Sequence, residues 1–247
     1  MEVVNFRVGD QFVAFNILDI LLTEKYMQDE TPVPSQDPSF LGMKEFMGVA
    51  TPIYDLGKAM NGTTTQEINQ SLSMRVKNAI NNIQQTLVDS DKSRLTLNAE
   101  LPELRNLHAT HPEIKELLQQ AQQTLVEIEK IKIEYDNQEA TKQKIRKLLQ
   151  QLGMVYELIE ITHKPVTVYT TQDGHTPKTG FVVDEVSDSL QVRQDNIKPL
   201  ENLEFHTGNI DPRVKNMLQG LLTHANKNSL LLKPEAFYAK LVVDTAQ

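Results

Sequence analysis

Two histidines and a carboxylate are the residues best suited to chemistry in this chain of 247 residues: His108, His111 and Glu113. Imidazole nitrogens and carboxylate oxygens bind transition metals, and a histidine can move protons near neutral pH. Thr110 and Glu113, however, have the spacing of a helix capping box, so the histidines bracket a helix start. Ligand pairs on one helix face lie four residues apart instead. The pattern therefore favours a helix start over a metal or general-base site.

Three further segments have simple structural interpretations. Asp173-Gly174-His175 indicates a solvated hairpin tip, because no serine or cysteine nucleophile is positioned beside the histidine. The charges from Lys142 to Lys147 (KQKIRK) are typical of a solvated helix face. Gly208-Asn209 is an isolated turn signal and not part of a phosphate-binding loop. We therefore expect a protein that is not an enzyme, with no catalytic residue, bound metal or cofactor.

Composition excludes several classes of function. The formal charge of −8 and the pI near 5.3 argue against a general nucleic-acid binder, which needs a basic surface. No apolar run approaches the ~20 residues that cross a bilayer, and the N-terminus shows no secretory signal. The absence of cysteine excludes disulfides and thiolate sites. We expect a cytoplasmic protein without direct membrane insertion.

The segment GMKEFMGVATPIYDL, from Gly42 to Leu56, sets two glycines on either side of a short apolar stretch. Glycine is used where the backbone needs a positive φ or passes close to another segment. The residues from Val49 to Leu56 have the β-branched and aromatic character of a half-buried strand. Met43 and Met47 fit either an adaptable apolar contact or core filling, and these alternatives stay open.

The outer parts of the chain have strand patterns. EVVNFRV and QFVAFNI alternate on either side of Gly9-Asp10, which predicts a hairpin, and three prolines from Pro32 to Pro38 mark a loop. The C-terminal part is predicted to contain the strand VTVYT, a turn at Asp173-Gly174, the strand segment TGFVVDEVSDSLQV, a short helix from Asp211 to Leu222, and the apolar run from Ser229 to Leu232.

The middle of the chain is helical in pattern. A capping box at Thr64 and Glu67 precedes apolar residues at steps of three and four, and two more such stripes follow, one after Thr110 and one from Ile145 to Ile159. A turn at Asp136-Asn137 and a short helix from Leu101 to Leu107 complete an antiparallel four-helix bundle. We therefore predict a β-domain in two parts, residues 1–63 and 163–247, interrupted by a helical insert, residues 64–162.

The strand segments, taken in order, resemble the CheW-like coupling proteins of bacterial chemotaxis. RVGDQFVAFNI is similar to the family's first hairpin, and TPVP to the proline-marked stretch after it. GMKEFMGVATPIYDL is similar to a family pattern of two glycines followed by a strand that ends Pro-Val-Ile-Asp-Leu. TGFVVDEVSDSLQVRQDNIKP is similar to the family's later strand pair. The resemblance covers both flanks of the insert.

This resemblance implies an α+β fold in which two small five-stranded β-barrels are interrupted by the inserted bundle. It implies a non-enzymatic adaptor that binds the regulatory domain of a chemotaxis histidine kinase and the cytoplasmic tip of a chemoreceptor. The implied partner-binding residues are Gly42, Glu45, Phe46, Met47 and Gly48. Family members usually carry Asn and Arg where this chain has Glu45 and Met47, which puts receptor binding in question. Near the C-terminus, Lys233 replaces a family Asp.

The insert is similar, more weakly, to a chemoreceptor zinc-binding domain. In LRNLHATHPEIKELLQQA, His111 takes the first position of that domain's His-x-x-x-His pair, but Lys115 takes the second. A tetrahedral zinc site needs four donors and no cysteine is present, so the resemblance implies a degenerate, metal-free relative. We expect the insert to modulate docking or to pair two chains as a homodimer. The alternative is a metal- or ligand-binding sensor that uses the insert.

Overall fold

The computed structural model describes residues 1–88, 102–134, 138–199, 212–224 and 227–238. The chain divides into two compact units, one formed by Met1–Thr65 with Lys164–Gln247 and the other by Gln66–His163. These divisions lie close to the predicted boundaries after residues 63 and 162. That either part forms an independent domain stays a prediction.

The first unit is built from strands in two sheets. The strands are β1 (Glu2–Val8), β2 (Gln11–Asn16), β3 (Ile20–Lys25), β4 (Phe40–Phe46), β5 (Val49–Asp55), β6 (Val166–Thr171), β7 (Pro177–Val183), β8 (Glu185–Gln191), β9 (Ile197–Pro199), β10 (Leu218–His224) and β11 (Lys227–Leu232). One sheet has the order β8-β1-β2-β11-β10-β9, and the other has the order β3-β6-β7-β5-β4. The fold is therefore mixed α and β, with one sheet of six strands and one of five where the sequence predicted five in each.

The first predicted hairpin is confirmed. β1 and β2 pair antiparallel with Val8 opposite Gln11, which leaves Gly9-Asp10 as the turn. The strand predicted at VTVYT is β6, and it forms a second hairpin with β7 around Asp173-Gly174. Each sheet also contains one parallel pair, β2 with β11 and β5 with β7. These parallel pairs join segments on opposite sides of the insert, so both flanks are needed to complete each sheet.

The five-stranded sheet is drawn together at its edges. Lys44 on β4 bonds to Glu24 on β3, with 2.6 Å between Nζ and Oε1, although these strands lie at opposite ends of the strand order. Side chains on opposite edges can meet only when the sheet curls, as twisted sheets do. The closed backbone ladder of a barrel stays a prediction.

Aromatic side chains fill the core of this unit. Phe6 and Phe15 meet edge to face at 5.8 Å between ring centroids, and Phe15 stacks on Phe181 at 5.9 Å. Phe181 in turn meets Phe237 edge to face at 5.0 Å. All four are buried, and such pairs add about 0.5–1.5 kcal/mol each beyond area burial. The aromatic chain therefore links strands from both flanks of the insert.

One helix prediction in this unit is wrong in its length. The helix predicted from Asp211 to Leu222 is shorter: α5 spans Pro212–Met217, Asp211 lies outside the described residues, and Leu218 begins β10. Gly220, which weakens a helix, pairs with Pro199, and a Cβ there would lie 2.6 Å from the Lys198 carbonyl oxygen.

The strand predicted to end at Leu56 ends at Asp55. The Asp55 carboxylate accepts a hydrogen bond from the Lys58 N–H at 2.7 Å, which caps the helix α1 (Leu56–Asn61). The segment TGFVVDEVSDSLQV is likewise divided into β7 and β8 at Asp184. Local capping and a bend therefore set these boundaries.

The second unit contains three long helices, α2 (Thr65–Val88), α3 (Pro112–Glu134) and α4 (Gln138–Thr162), and residues 102–105 are also helical. The predicted apolar stripes are confirmed where side chains are described, and they form one core that includes Val76, Ile83, Ile114, Leu125, Leu148 and Leu152. The predicted turn at Asp136-Asn137 and the start of the short helix at Leu101 lie outside the described residues. The four-helix bundle stays a prediction. No described helix is long and apolar enough to cross a membrane.

The predicted cap at Thr110 is wrong by one residue. α3 begins at Pro112, so His111 occupies the N-cap position and its carbonyl accepts from Lys115 N–H at 2.9 Å. Pro112 at the first helical position has the fixed φ and the missing N–H that suit a helix start. Proline therefore set the boundary rather than the threonine hydroxyl.

The last described helix, α6 (Glu235–Tyr238), buries Phe237.

Candidate functional site

The glycine-flanked segment forms a hairpin. β4 and β5 pair antiparallel with Phe46 opposite Val49, which leaves Met47 and Gly48 as a two-residue turn. Met47 has φ of 51° and Gly48 has φ of 75°. Positive φ at both central positions is the backbone of a type I′ turn, which matches the right-handed twist of the flanking strands. The segment therefore ends in a tight, defined tip.

Met47 is an unusual residue for this turn. The first position of a type I′ turn favours Asn, Asp or Gly, because a longer L-residue is strained at positive φ. Met47 nevertheless adopts that conformation, and the residue is 62% exposed. Strain of this kind is kept where the side chain has another role. The tip therefore presents an apolar side chain to solvent at a cost in stability.

Phe46 fixes the tip from the inner face of the sheet. Its ring stacks on Tyr169 of β6 with 3.7 Å between centroids and 7° between planes. Tyr169 is fully buried, and its hydroxyl donates to Glu24 Oε1 at 2.8 Å. Burial, followed by the hydrogen bond to Glu24, raises the pKa of the Tyr169 hydroxyl well above its usual range. The ring under Phe46 is thus itself held in one position.

An ion-pair network continues this support. Lys44 Nζ lies 2.6 Å from Glu24 Oε1 and 3.0 Å from Asp29 Oδ1. Burial alone would lower the pKa of Lys44, but the hydrogen bonds to Glu24 and Asp29 raise it above its usual range. Since the Lys44 side chain is only 19% exposed and its ammonium bonds to both carboxylates, its charge is directed to them. The lysine therefore supports the hairpin base and offers little charge to a partner.

Gly42 marks a close backbone approach. Thr31 and Met43 exchange two backbone hydrogen bonds, of 2.8 and 2.9 Å, so the segment before β4 lies against the hairpin edge. Gly42 has φ of 148°, and a Cβ there would lie 2.4 Å from the Thr31 carbonyl oxygen. A side chain at this position would displace the Thr31 segment. This glycine is buried, so its effect on a partner would be exerted through the shape of the hairpin.

The predicted partner-binding residues thus occupy different environments. Glu45, Met47 and Gly48 are exposed together at the tip, Phe46 is half-buried, and Gly42 is buried at the base. Sequence reasoning missed the supporting residues Glu24 and Tyr169. Their chemistry is ordinary for strand residues, and only the curling of the sheet brings them under the hairpin.

The loop after Pro34 is tied down by a separate contact. Arg213 of α5 pairs with Asp37, and its guanidinium lies 5.0 Å from the Phe237 ring centroid. Burial alone would raise the pKa of Asp37, but the hydrogen bonds from Arg213 and Ser39 lower it below its usual range. This contact anchors the end of the proline-marked loop ahead of β4.

The histidines are not part of a metal centre among the described residues. His108 is exposed, and His111 caps α3 with its backbone. No group of three or more His, Cys, Asp or Glu side chains in the described part of the chain is arranged to hold a metal ion. The sensor alternative therefore has no located site.

The Asp173 segment is a hairpin tip, as predicted. The Asp173 carboxylate accepts from the N–H groups of His175 and Thr176 at 2.8 and 2.7 Å. These backbone hydrogen bonds, that from Thr176 first, lower the pKa of Asp173 below its usual range. The side chain is occupied in shaping its own turn.

Comparison with known proteins shows a distant likeness to a solved structure. No protein-family model matches the sequence, and no curated protein matches it. Among solved structures, the chain is similar to the crystal structure of the scaffolding protein TtCheW from Thermoanaerobacter tengcongensis. The identity is 12% and the TM-score is 0.45, over 94% of this chain and 83% of that chain.

Proposed function

We propose that this chain is a non-enzymatic chemotaxis adaptor of the CheW-like kind, which binds helical partner segments at the β4–β5 hairpin tip. The observation that carries the proposal is Met47, an apolar side chain held exposed in a strained backbone conformation by a rigid support. A buried methionine would be explained by packing, but an exposed one at positive φ has no benefit for the fold. Contact with the apolar face of a partner helix would give the exposed Met47 side chain a function, because methionine adapts to such faces.

The sequence adds the class of partner. The segments that resemble the chemotaxis coupling proteins include most of the β4–β5 hairpin and most of the strand pair β7–β8, on opposite sides of the insert. The adaptor would join the regulatory domain of a histidine kinase to the cytoplasmic tip of a chemoreceptor. Each contact would be modest in area and reversible, as is usual for signalling contacts.

The insert would act on this docking or pair two chains. Among the described residues of the insert, three large apolar ones are 46% or more exposed: Met74, Met154 and Ile161. Met154 and Ile161 are seven residues apart on α4 and so share one face of the helix. A second chain that covers this face would bury them.

The experiment is a titration of the full chain against the regulatory domain of a chemotaxis kinase, and against a receptor tip fragment, from the same cell. Gly48→Glu is the test variant and Gly174→Glu is its matched control. A Cβ at either glycine meets no described atom within 4 Å, and the φ values are 75° and 77°. Both variants therefore carry the same backbone strain and the same added charge, at two different hairpin tips.

We expect Gly48→Glu to weaken binding of at least one partner about tenfold or more, as loss of a central contact does. Gly174→Glu should bind as the unmodified chain does. Equal affinities of the two variants for the partners would show that the β4–β5 tip is not the docking site. Absence of binding by the unmodified chain to both partners would refute the coupling function.

A further inference from the structure

The sulfur chemistry of this chain rests on methionine. The sequence contains eight methionines and no cysteine, so no thiol competes with them for an oxidant. Peroxides convert the methionine thioether to the sulfoxide, and reductases specific for each sulfoxide epimer reverse the reaction. A peroxide must first reach the sulfur, so the fold decides which methionines are modified readily.

The eight methionines differ sharply in exposure. Met60 and Met217 are buried in the core that contains the aromatic side chains, and Met43 is half-buried in β4. Five others are 45% or more exposed: Met1, Met27, Met47, Met74 and Met154. Met47 and Met27 are almost equal, at 62% and 61%. The chain therefore contains one group of methionines that a small oxidant reaches and another that the core protects.

Met47 is set apart within the exposed group by its position. Among the described residues it is the methionine with positive φ, and it lies at the centre of the β4–β5 tip. A Cβ added at the adjacent Gly48 would meet no described atom within 4 Å, so the space beside the turn is open. Oxidation of this side chain would therefore alter the surface proposed to contact a partner.

The tip is held together without the Met47 side chain. Phe46 stacks on Tyr169 with 3.7 Å between ring centroids, and Phe46 is paired with Val49 across the turn. The Met47 side chain is mostly exposed, so its packing contributes little to this arrangement. A sulfoxide at Met47 would therefore change the chemistry of the tip and leave its backbone in place.

We propose that Met47 is a reversible oxidation site, and that its conversion to the sulfoxide by a peroxide weakens docking. This inference rests on the proposed adaptor function and adds its regulation. A sulfur lone pair attacks one peroxide oxygen, and the S–O bond forms as the O–O bond breaks. The departing oxygen takes up the proton of the transferred oxygen and leaves as water. The sulfur is thus oxidised by two electrons and the peroxide is reduced.

The product explains the loss of docking. A sulfoxide is polar and chiral, whereas the thioether is apolar and flexible. The apolar face of a partner helix offers no hydrogen-bond donor to the new oxygen, and burial of an unpaired polar group is unfavourable. Oxidation of Met60 or Met217 would instead place a polar group in the core and disrupt it. Because these two are protected, docking is lost at a peroxide dose that leaves the fold intact.

The test measures oxidation and docking on the same samples of the full chain. Limited treatment with hydrogen peroxide is followed by mass spectrometry of peptides, which gives the oxidised fraction at each methionine. Circular dichroism checks the fold, and the treated chain is titrated against the kinase regulatory domain and the receptor tip fragment. The variants are Met47→Leu, which stays apolar and cannot be oxidised, Met47→Gln, which is polar without peroxide, and the matched control Met27→Leu.

We expect Met47 and Met27 to be oxidised at similar rates, and Met60 and Met217 roughly tenfold or more slowly. Peroxide should weaken binding of at least one partner about fivefold or more, as burial of one unpaired polar group does. Met27→Leu should lose affinity as the unmodified chain does, whereas Met47→Leu should keep its affinity. Met47→Gln should bind weakly before any treatment. Sulfoxide reductases for both epimers should restore the unmodified chain, and a saturating partner should slow oxidation of Met47.

Unchanged affinity after Met47 is fully oxidised would overturn the inference. An equal loss of affinity in Met47→Leu would also overturn it, as would protection of Met47 from peroxide in the free chain. These outcomes leave the adaptor function in place, because it is decided by titration of the untreated chain. Absence of binding by the untreated chain to both partners would refute the adaptor function and this inference together.

Discussion

The strained turn makes a quantitative prediction: Met47→Asn should stabilise the protein while it weakens partner binding. Met47 has φ of 51° at a position where type I′ turns favour Asn followed by Gly. A left-handed conformation costs an ordinary L-residue about 1–2 kcal/mol, and Asn is among the few residues that visit it readily. Since the Met47 side chain is mostly exposed, little packing is lost with it. We expect a gain of about 1 kcal/mol in the free energy of unfolding.

This gain corresponds to a rise in melting temperature of roughly 2–4 °C for a chain of this size. The assay is thermal unfolding followed by circular dichroism, together with urea unfolding at constant temperature. Met27→Asn is the control, because it removes an equally exposed methionine that does not have positive φ. Its effect should stay within about 0.5 kcal/mol, as is usual for surface substitutions.

The same variants are also titrated against the two partners. Met47→Asn should weaken binding of the kinase regulatory domain or receptor tip, so stability and affinity move in opposite directions. A fall in stability on Met47→Asn, or a gain no larger than that of Met27→Asn, would refute the strain argument. A gain in stability with unchanged affinity for both partners would support the strain argument but refute a role of Met47 in docking.

Three further outcomes are expected. Gly42→Ala should lower the free energy of unfolding by about 2 kcal/mol or more, because its Cβ would collide with Thr31, and urea unfolding measures the loss. Asp37 contributes stability above its ordinary pKa, and this is lost as the pH falls through its lowered folded value. The destabilisation by Asp37→Asn should therefore be present at pH 7 and shrink below about pH 4, in urea unfolding across that range. If the insert pairs two chains, sedimentation of the full chain should depend on concentration, and Ile161→Glu should abolish that dependence; a monomer at all concentrations contradicts pairing.

Local sequence determined much of this fold. The turn at Gly9-Asp10 and the helix stripes follow from glycine and from apolar periodicity, which act over a few residues. The strand that begins at Val49 was also visible in the sequence, from its β-branched and aromatic residues, but its pairing with β4 in a hairpin was not predicted. The partners of these elements were not visible, because pairing depends on residues far apart in the chain.

Only the tertiary structure decided how the site is built. The segment at Leu218 becomes a strand because β9 and β11 are present on either side of it, which outweighs its helical pattern. Tyr169 reaches Phe46 across more than a hundred residues, because the flanks of the insert join in one sheet. The sequence by itself determined the long helices and several strands of the outer parts, but it did not predict β3, β4 or β9, and it predicted a helix where β10 begins. The curling of the five-stranded sheet decided which side chains stand at the hairpin tip and which support it, because long-range packing sets the exposure of each residue.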